Sequence, residues 1–496
     1  MKKRKIVCLL LAILIFVLPA ASCADKNDNG NSNPTNPVNP NANANENENE
    51  NGENNPEIPQ NTKNPDYTSD LGEEDFGGYE FHVMGRYIDD PVGSWNTWEI
   101  YAENEDGTLI NDAVYLRNRI LEDRYNISIK QTLMFNSLLS PVRKAVASGE
   151  EYDLVLPPQR ESAMLATDGL LTDLKTVPNL NLTKAYWNQN LEKYTAINNK
   201  VFFCTGDINI MDKQATYVFY FNKELAANLA LENPYNMVRE GKWTMEAFNS
   251  MLKDVTVDLN GDGKFDKNDQ YGIVLYGGLG IFNYYAGESI VTKTASGGLE
   301  ITFNNERTLR AIDNGIEILK GNQAYSAKGW EEGQNMFQDG QGLFYMEVLD
   351  KTGQLRGMEV PFGVLPPPKL DELQPQYHTI IHDHGQFFCI PVNTPDVART
   401  GFILEALAEG STDTLKNAYY DLNLTTKFVR DDDSVEMIEL IMQGIIFDIG
   451  AIYGLGNMNN IVDNSIKKGE NNFVSDYEKN EEKANATLQK FIDAFS

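Results

Sequence analysis

Apolar and polar positions change period repeatedly along the chain. Tyr79-Glu-Phe-His-Val-Met84 alternates, which predicts a strand ending at Gly85-Arg86. Ile110 to Tyr125 places Ala113, Leu116 and Ile120 at helical spacing, and Ile127-Ser-Ile129 predicts a second strand. A helix over Leu138–Ala147 and a third strand, Tyr152-Asp-Leu-Val-Leu156, follow, and Pro157-Pro158 ends that strand. Strands alternating with helices predict a parallel sheet covered on both faces. Ligands of such sheets lie beyond the carboxyl ends of the strands. Arg86 and the turn Pro157-Pro158-Gln159-Arg160 therefore belong to a rim.

Val201–Phe203 and Val218–Phe221 read as further apolar strands around the loop Gly206-Asp207-Ile208-Asn209. A mostly helical stretch runs from Lys223 to Val255. Its last helix starts at Thr244 as N-cap, with Met245, Phe248, Leu252 and Val255 on one face. Tyr271–Tyr276 predicts a strand, Glu306–Gly321 a helix, and Met336–Glu347 a turn into strand. Val360–Leu370, with Pro361, Pro366, Pro367 and Pro368, reads as extended chain. Gln386–Pro391 reads as a strand, and from Asp396 the chain is nearly all helical to Ser496. An α/β pattern that breaks and resumes predicts one domain inserted into another.

Length and charge narrow the partners. The 496 residues leave room for two or three domains, and 72 acidic against 42 basic residues give a net charge of −30. Nucleic acid would be repelled. Lys2, Lys3, Arg4 and Lys5 precede an apolar run, Ile6 to Leu18, too short for a span of about 20 residues. Small residues then lead to Cys23, a pattern that resembles a bacterial lipoprotein signal; ordinary secretion is the alternative. Residues 1–23 are thus read as signal peptide, with lipidation at Cys23 and an extracytoplasmic, membrane-anchored product. Residues 24–77, rich in Asn, Glu, Pro and Gly, cannot bury enough apolar surface to order and read as a disordered tether. Cys204 and Cys389, both in apolar runs, are either buried thiols or a disulfide.

The most specific stretch is 258–269. Asp258, Asn260 and Asp262 hold positions 1, 3 and 5 of a twelve-residue calcium loop, and Gly263 holds the sharp turn at 6. Lys264 would offer its carbonyl, and Asp266 and Asp269 complete the shell at 9 and 12. Position 12 departs from the usual longer Glu. A solvated Asp/Asn/Gly turn is the alternative. A single loop between a helix and a strand fits a structural calcium ion, not a paired sensor.

Several stretches, in order, resemble the extracellular solute-binding lipoproteins of ABC importers, in the sugar-binding group related to maltodextrin-binding protein. They are Asp168-Gly-Leu-Leu-Thr-Asp-Leu174, Tyr220-Phe-Asn-Lys-Glu-Leu225, Gly241-Lys-Trp-Thr-Met-Glu-Ala-Phe248, the calcium-loop stretch through Gly272, Phe388-Cys-Ile-Pro391 and Tyr419-Tyr-Asp-Leu422. The resemblance implies an α/β, two-lobe periplasmic-binding-protein-like fold (type II), with crossing strands and a helical C-terminal region. Lobe 1 would take 78–215 and 336–395, and lobe 2 would take 216–335 and the C-terminal helices 396–496. It implies a monomer that captures a solute, an oligosaccharide by preference, and delivers it to the membrane subunits of the permease.

A sugar needs an aromatic platform and planar polar groups. Trp95, Trp98, Trp187 and Trp330 lie in irregular stretches and are the candidate platforms; simple packing is the alternative for each. Trp243, at a helix start, reads as core. Arg86, Gln159, Arg160, Asp207 and Glu347 are the polar candidates, and Tyr453 falls near the family's C-terminal aromatic contact. His382-Asp383-His384 is the densest His cluster and reads as polar edge or ligand rim, with metal binding the alternative. Competing functions are a cell-surface glycoside hydrolase, since 72 carboxylates must include pairs at working separation, and a calcium-dependent adhesion or scaffold protein. No nucleophile elbow, P-loop or zinc-spaced His/Cys set supports an enzyme.

Overall fold

The computed structural model describes residues 71–89, 95–294, 297–424 and 432–496. The expected signal peptide, Cys23 and most of the expected tether lie outside them. Packing begins before the expected boundary at Gly78. The Phe76 ring meets Phe402 edge-on at 5.5 Å, and its N–H donates to Tyr125 O at 2.9 Å.

The first sheet has β1 (Tyr79–Tyr87) between β2 (Ile127–Phe135) and β3 (Leu154–Val155), all parallel. The alternation seen in the sequence sorts β1 onto two cores. Phe81 and Val83 pack with Leu121 and Tyr125 of the helix Leu109–Tyr125, while Met84 faces Leu138 and Val142. The segment 386–391 adds an antiparallel edge, pairing Gln386 with Pro158, Cys389 with Val155 and Phe388 with Cys204. Cys204 and Phe388 share one core and Cys389 lies in the other, because successive residues of extended chain face opposite ways. The two cysteines are therefore buried free thiols, and burial pushes both thiols up.

The second sheet is formed by β4 (Tyr217–Asn222), β5 (Tyr271–Leu275), β8 (Ala324–Ser326), β9 (Gly342–Val348) and β10 (Phe362–Leu365), in the order β10-β4-β9-β5-β8. β9 runs parallel to β5 and antiparallel to β4. Every residue of β5 and β9 is buried, as expected of central strands covered on both faces. A hairpin of β6 (Val291–Lys293) and β7 (Leu299–Ile301) and a parallel pair of β11 (Thr379–Ile380) and β12 (Ile445–Ile446) complete the strands.

Two expected assignments need correction. β9 and β10 complete the second sheet, so 336–395 does not return to lobe 1 as a block; within it, 386–391 pairs with the first sheet. The helix Val397–Ser411, expected in lobe 2, packs Phe402, Ile403, Leu404 and Leu407 with Phe81 and Tyr125 of lobe 1. Periodicity identifies a strand or helix but not the open edge or face that receives it. The helix Met458–Lys468 packs on the helices Glu306–Leu319 and Phe473–Ala494, with Ile466 so close to Gly315 that a Cβ there would sit 2.6 Å from Ile466 Cδ1. Among the described residues no helix is long and apolar enough to cross a membrane.

Candidate functional site: a cleft between the sheets

Residues 214–216 form a spine where the chain passes from the first sheet to the second. Leu349 N–H donates to Thr216 O at 2.8 Å, Asp350 N–H to Gln214 O at 3.0 Å, and His382 N–H to Ala215 O at 2.7 Å. Tyr217 and Glu347 leave this spine into a cavity of about 740 Å³. Its lobe-1 wall carries Ile88, Trp95, His382 and His384; its lobe-2 wall carries Tyr276, Trp330, Glu347 and Lys351. A second cavity of about 670 Å³ shares Tyr217, Gly278 and His382 with the first and extends past Gln159 and Arg160 to Asn457, Asp463 and Lys483. Together they form one elongated cleft whose lining mixes apolar and polar groups. Gly278 (φ +71°) makes the turn after β5, and a Cβ there would lie 3.1 Å from Met346 Cε.

Trp95 is held from behind. Arg86, buried at the end of β1, donates from Nη2 to Trp95 O at 3.2 Å and to His384 O at 3.0 Å. Thr97 Oγ1 donates to Gln386 Oε1 at 2.7 Å, and Gln386 Nε2 to Trp95 O at 3.3 Å. The Trp95 ring stacks on His382 at 5.2 Å and meets His384 edge-on at 5.1 Å. Across the cleft Trp330 begins the helix Trp330–Gln338, and Lys351 Nζ lies 4.3 Å from the centre of its ring. Burial raises the Glu347 carboxyl, against the pull of Lys351, its own bond from Val348 N–H and His382.

Of the sequence candidates, Trp95, Trp330, Glu347, Gln159 and Arg160 line the cleft. Gln159 Nε2 is tied to His382 O at 2.7 Å, so it orients the wall; Arg160 is exposed and its guanidinium lies against Gly454.

The other five do not line either cavity. Arg86 turns inward to the backbone, and burial draws its guanidinium down to about 10. Trp98 is half-buried on the loop beside Glu99. Trp187 is a core residue whose Nε1–H donates to the buried Glu405 at 3.0 Å. Asp207 accepts from Thr412 Oγ1 at 2.9 Å and Lys416 Nζ at 3.1 Å, tying its loop to the turn that crosses between lobes. Tyr453 is buried against Phe491, with ring centres 4.6 Å apart. Tyr217, Tyr276 and Lys351 escaped sequence reasoning, because an aromatic beside a spine or a lysine in a short helix carries no periodic mark.

The loop 258–269 lies apart from these lining residues. Asp258 accepts from Gly261 N–H at 2.7 Å and Gly263 N–H at 2.8 Å; Asn260 accepts from Asp262 N–H and Asp262 from Lys264 N–H. Asp266 accepts from Asn268 N–H. Asp269 is fully buried and closes the loop, accepting from Leu259 N–H at 3.0 Å and Asp266 N–H at 2.8 Å. The donor set is all oxygen, which suits a hard cation. Its carboxylates do not converge: among the described residues, the group of three or more His, Cys, Asp or Glu with ligand atoms all within 4.8 Å of one another is His382, Asp383 and His384.

No protein-family model and no curated protein matches the sequence. Solved structures do. UgpB from Mycobacterium tuberculosis, in complex with glycerophosphocholine, is 14% identical with a TM-score of 0.55, over 84% of this chain and 99% of that one. The cyclic α-maltosyl-1,6-maltose binding protein from Arthrobacter globiformis is 18% identical with a TM-score of 0.54, over 83% and 100%. An ABC substrate-binding protein from Listeria monocytogenes, in complex with cycloalternan, is 12% identical with a TM-score of 0.53, over 83% and 99%. At these identities the likeness is one of fold: the chain has the α/β two-lobe fold of ABC substrate-binding proteins.

Proposed function

We propose that this chain is the solute-binding component of an ABC importer, which captures an oligosaccharide in the interlobe cleft and passes it to the permease. The observation that carries the reading is that Trp95 and Trp330 reach one cavity from opposite lobes. A pyranose offers a flat CH face to such rings and hydroxyls to the carboxylate, imidazole and ammonium groups between them. The Listeria protein is in complex with cycloalternan and the Arthrobacter protein is a cyclic α-maltosyl-1,6-maltose binding protein, whereas UgpB holds glycerophosphocholine. Aromatic rings flanked by hydrogen-bonding groups on both walls fit the flat faces and hydroxyls of a saccharide. The same reading includes a monomer anchored outside the membrane through Cys23, and a calcium ion in the loop 258–269 bound by Asp258, Asn260, Asp262, Asp266, Asp269 and the Lys264 carbonyl.

A thermal-shift panel of linear and cyclic oligosaccharides, with glycerophosphocholine as comparator, tests the solute. A saccharide at a hundredfold excess over its Kd should stabilise the protein by about 2.7 kcal/mol, without release of reducing ends. Stabilisation by glycerophosphocholine alone overturns the saccharide assignment. Release of reducing ends from a stabilising sugar overturns the binding-protein assignment.

A further inference from the structure

The lobe-1 wall of the cleft carries a donor set whose chemistry is not confined to sugar hydroxyls. Residues 382–384 form a turn, not a strand, between the pairing of Ile381 with Thr216 and that of Gln386 with Pro158. In a strand Asp383 would point away from both histidines. In this turn Asp383 Oδ1 lies 2.9 Å from His382 Nδ1 and 3.5 Å from His384 Nδ1. The backbone beneath is fixed, by Arg86 on His384 O and by Gln159 on His382 O. Trp95 covers the face of His382 and lies edge-on to His384.

We propose that His382, Asp383 and His384 bind a borderline divalent cation of the zinc class on the wall of the cleft. Bonds of about 2.0–2.1 Å to nitrogen and oxygen put neighbouring ligands of a tetrahedral ion roughly 3.3–3.4 Å apart. The two distances to Asp383 straddle that spacing. The third, between the imidazole nitrogens, is within 4.8 Å and closes by rotation of half-exposed rings. Two imidazoles select zinc, nickel or copper over calcium or magnesium, which prefer oxygen alone.

His382 Nδ1 lies 2.9 Å from Asp383 Oδ1 and 3.2 Å from the His384 main-chain N. A ring nitrogen has one in-plane lone pair, so a cation bound at Nδ1 takes the place of the proton toward the carboxylate and also displaces the contact from the His384 N–H. Three protein ligands leave a position open, and His382 and His384 line the cavity with the buried Glu347, which accepts from Val348 N–H. An oxygen of water or of a bound solute can take that position.

Calorimetric titration of the full, tag-free chain with Zn²⁺, in the absence of solute, tests the site independently of the saccharide reading. One equivalent should bind at micromolar affinity or better. His384→Ala should weaken it at least tenfold, and so should Asp383→Asn, which keeps the side-chain volume. His82→Ala and Asp262→Ala, which alter another histidine and the acidic loop, should leave it unchanged. Weak multi-site uptake that both cluster variants retain would mean only surface carboxylates bind, and would overturn the site. Absence of uptake would overturn it as well.

Discussion

Asp269 separates two roles that a calcium loop can combine. Its carboxylate is fully buried and accepts main-chain N–H groups from both ends of the loop, Leu259 and Asp266. A hydrogen bond to a charged group contributes about 1.5–3 kcal/mol, so Asp269→Ala should cost about 3–6 kcal/mol with no metal present. Asp262 is exposed and accepts one N–H, from Lys264 at 2.8 Å. Asp262→Ala should cost little in chelator because both groups remain hydrated. Calcium at a hundredfold excess over its Kd should add about 2.7 kcal/mol to the wild type and none to Asp262→Ala. Urea unfolding of the three proteins, each with calcium and with chelator, reads all of these differences. If Asp269→Ala in chelator is no less stable than Asp262→Ala, Asp269 does not close the loop. If calcium stabilises Asp262→Ala as it does the wild type, the ion is not held by this loop.

Trp95→Ala and Trp330→Ala should each weaken binding of a stabilising saccharide about tenfold, equivalent to about 1.4 kcal/mol, whereas Trp187→Phe should not; equal calorimetric affinities for all three would place the sugar elsewhere. Glu99 gives a pH dependence: burial raises its carboxyl from 4.5 to about 7, and Oε1 has no partner. The folded state then holds the proton more tightly, so this contribution to stability is present below pH 4.5 and lost as pH rises through about 7. At 1.36 kcal/mol per pH unit the loss is about 3 kcal/mol, and Glu99→Gln should remove it; parallel stability–pH curves for variant and wild type would refute the assignment. Cys23→Ser should release the protein into the medium with its fold unchanged, and retention of the variant in salt-washed membranes would exclude the lipid anchor.

Local pattern carried the elements, and non-local contacts decided what they built. Thr244 was legible as an N-cap, and its Oγ1 accepts from Ala247 N–H at 3.2 Å. The helix it starts stops at Met251, short of the expected Val255, because Asp254 takes a left-handed φ of +60°. Trp187 and Trp330 look alike in sequence, each irregularly placed beside polar residues. The partner that buries Trp187 is Glu405, 218 positions away, and no window of sequence holds both. Arg86 was placed correctly at the end of a strand but not in direction, since its acceptors are main-chain carbonyls of Trp95 and His384.

β9 shows what an apolar run can reveal. Gly342–Val348 is buried throughout, as is Phe387–Ile390 in the other lobe, so composition alone could not assign either run to its sheet. Glu347 breaks the β9 run, and a carboxylate near the end of a central strand opposes the burial that makes the strand central. That conflict is tolerable where the group faces a cavity, and Glu347 does, with Lys351 of the following short helix on the same cavity. The charged residue that interrupts a buried strand is therefore a better pointer to the cleft than any tryptophan counted by itself. By the same reasoning His382 and His384, the polar interruption between the pairings at Ile381 and Gln386, belong to the opposite wall.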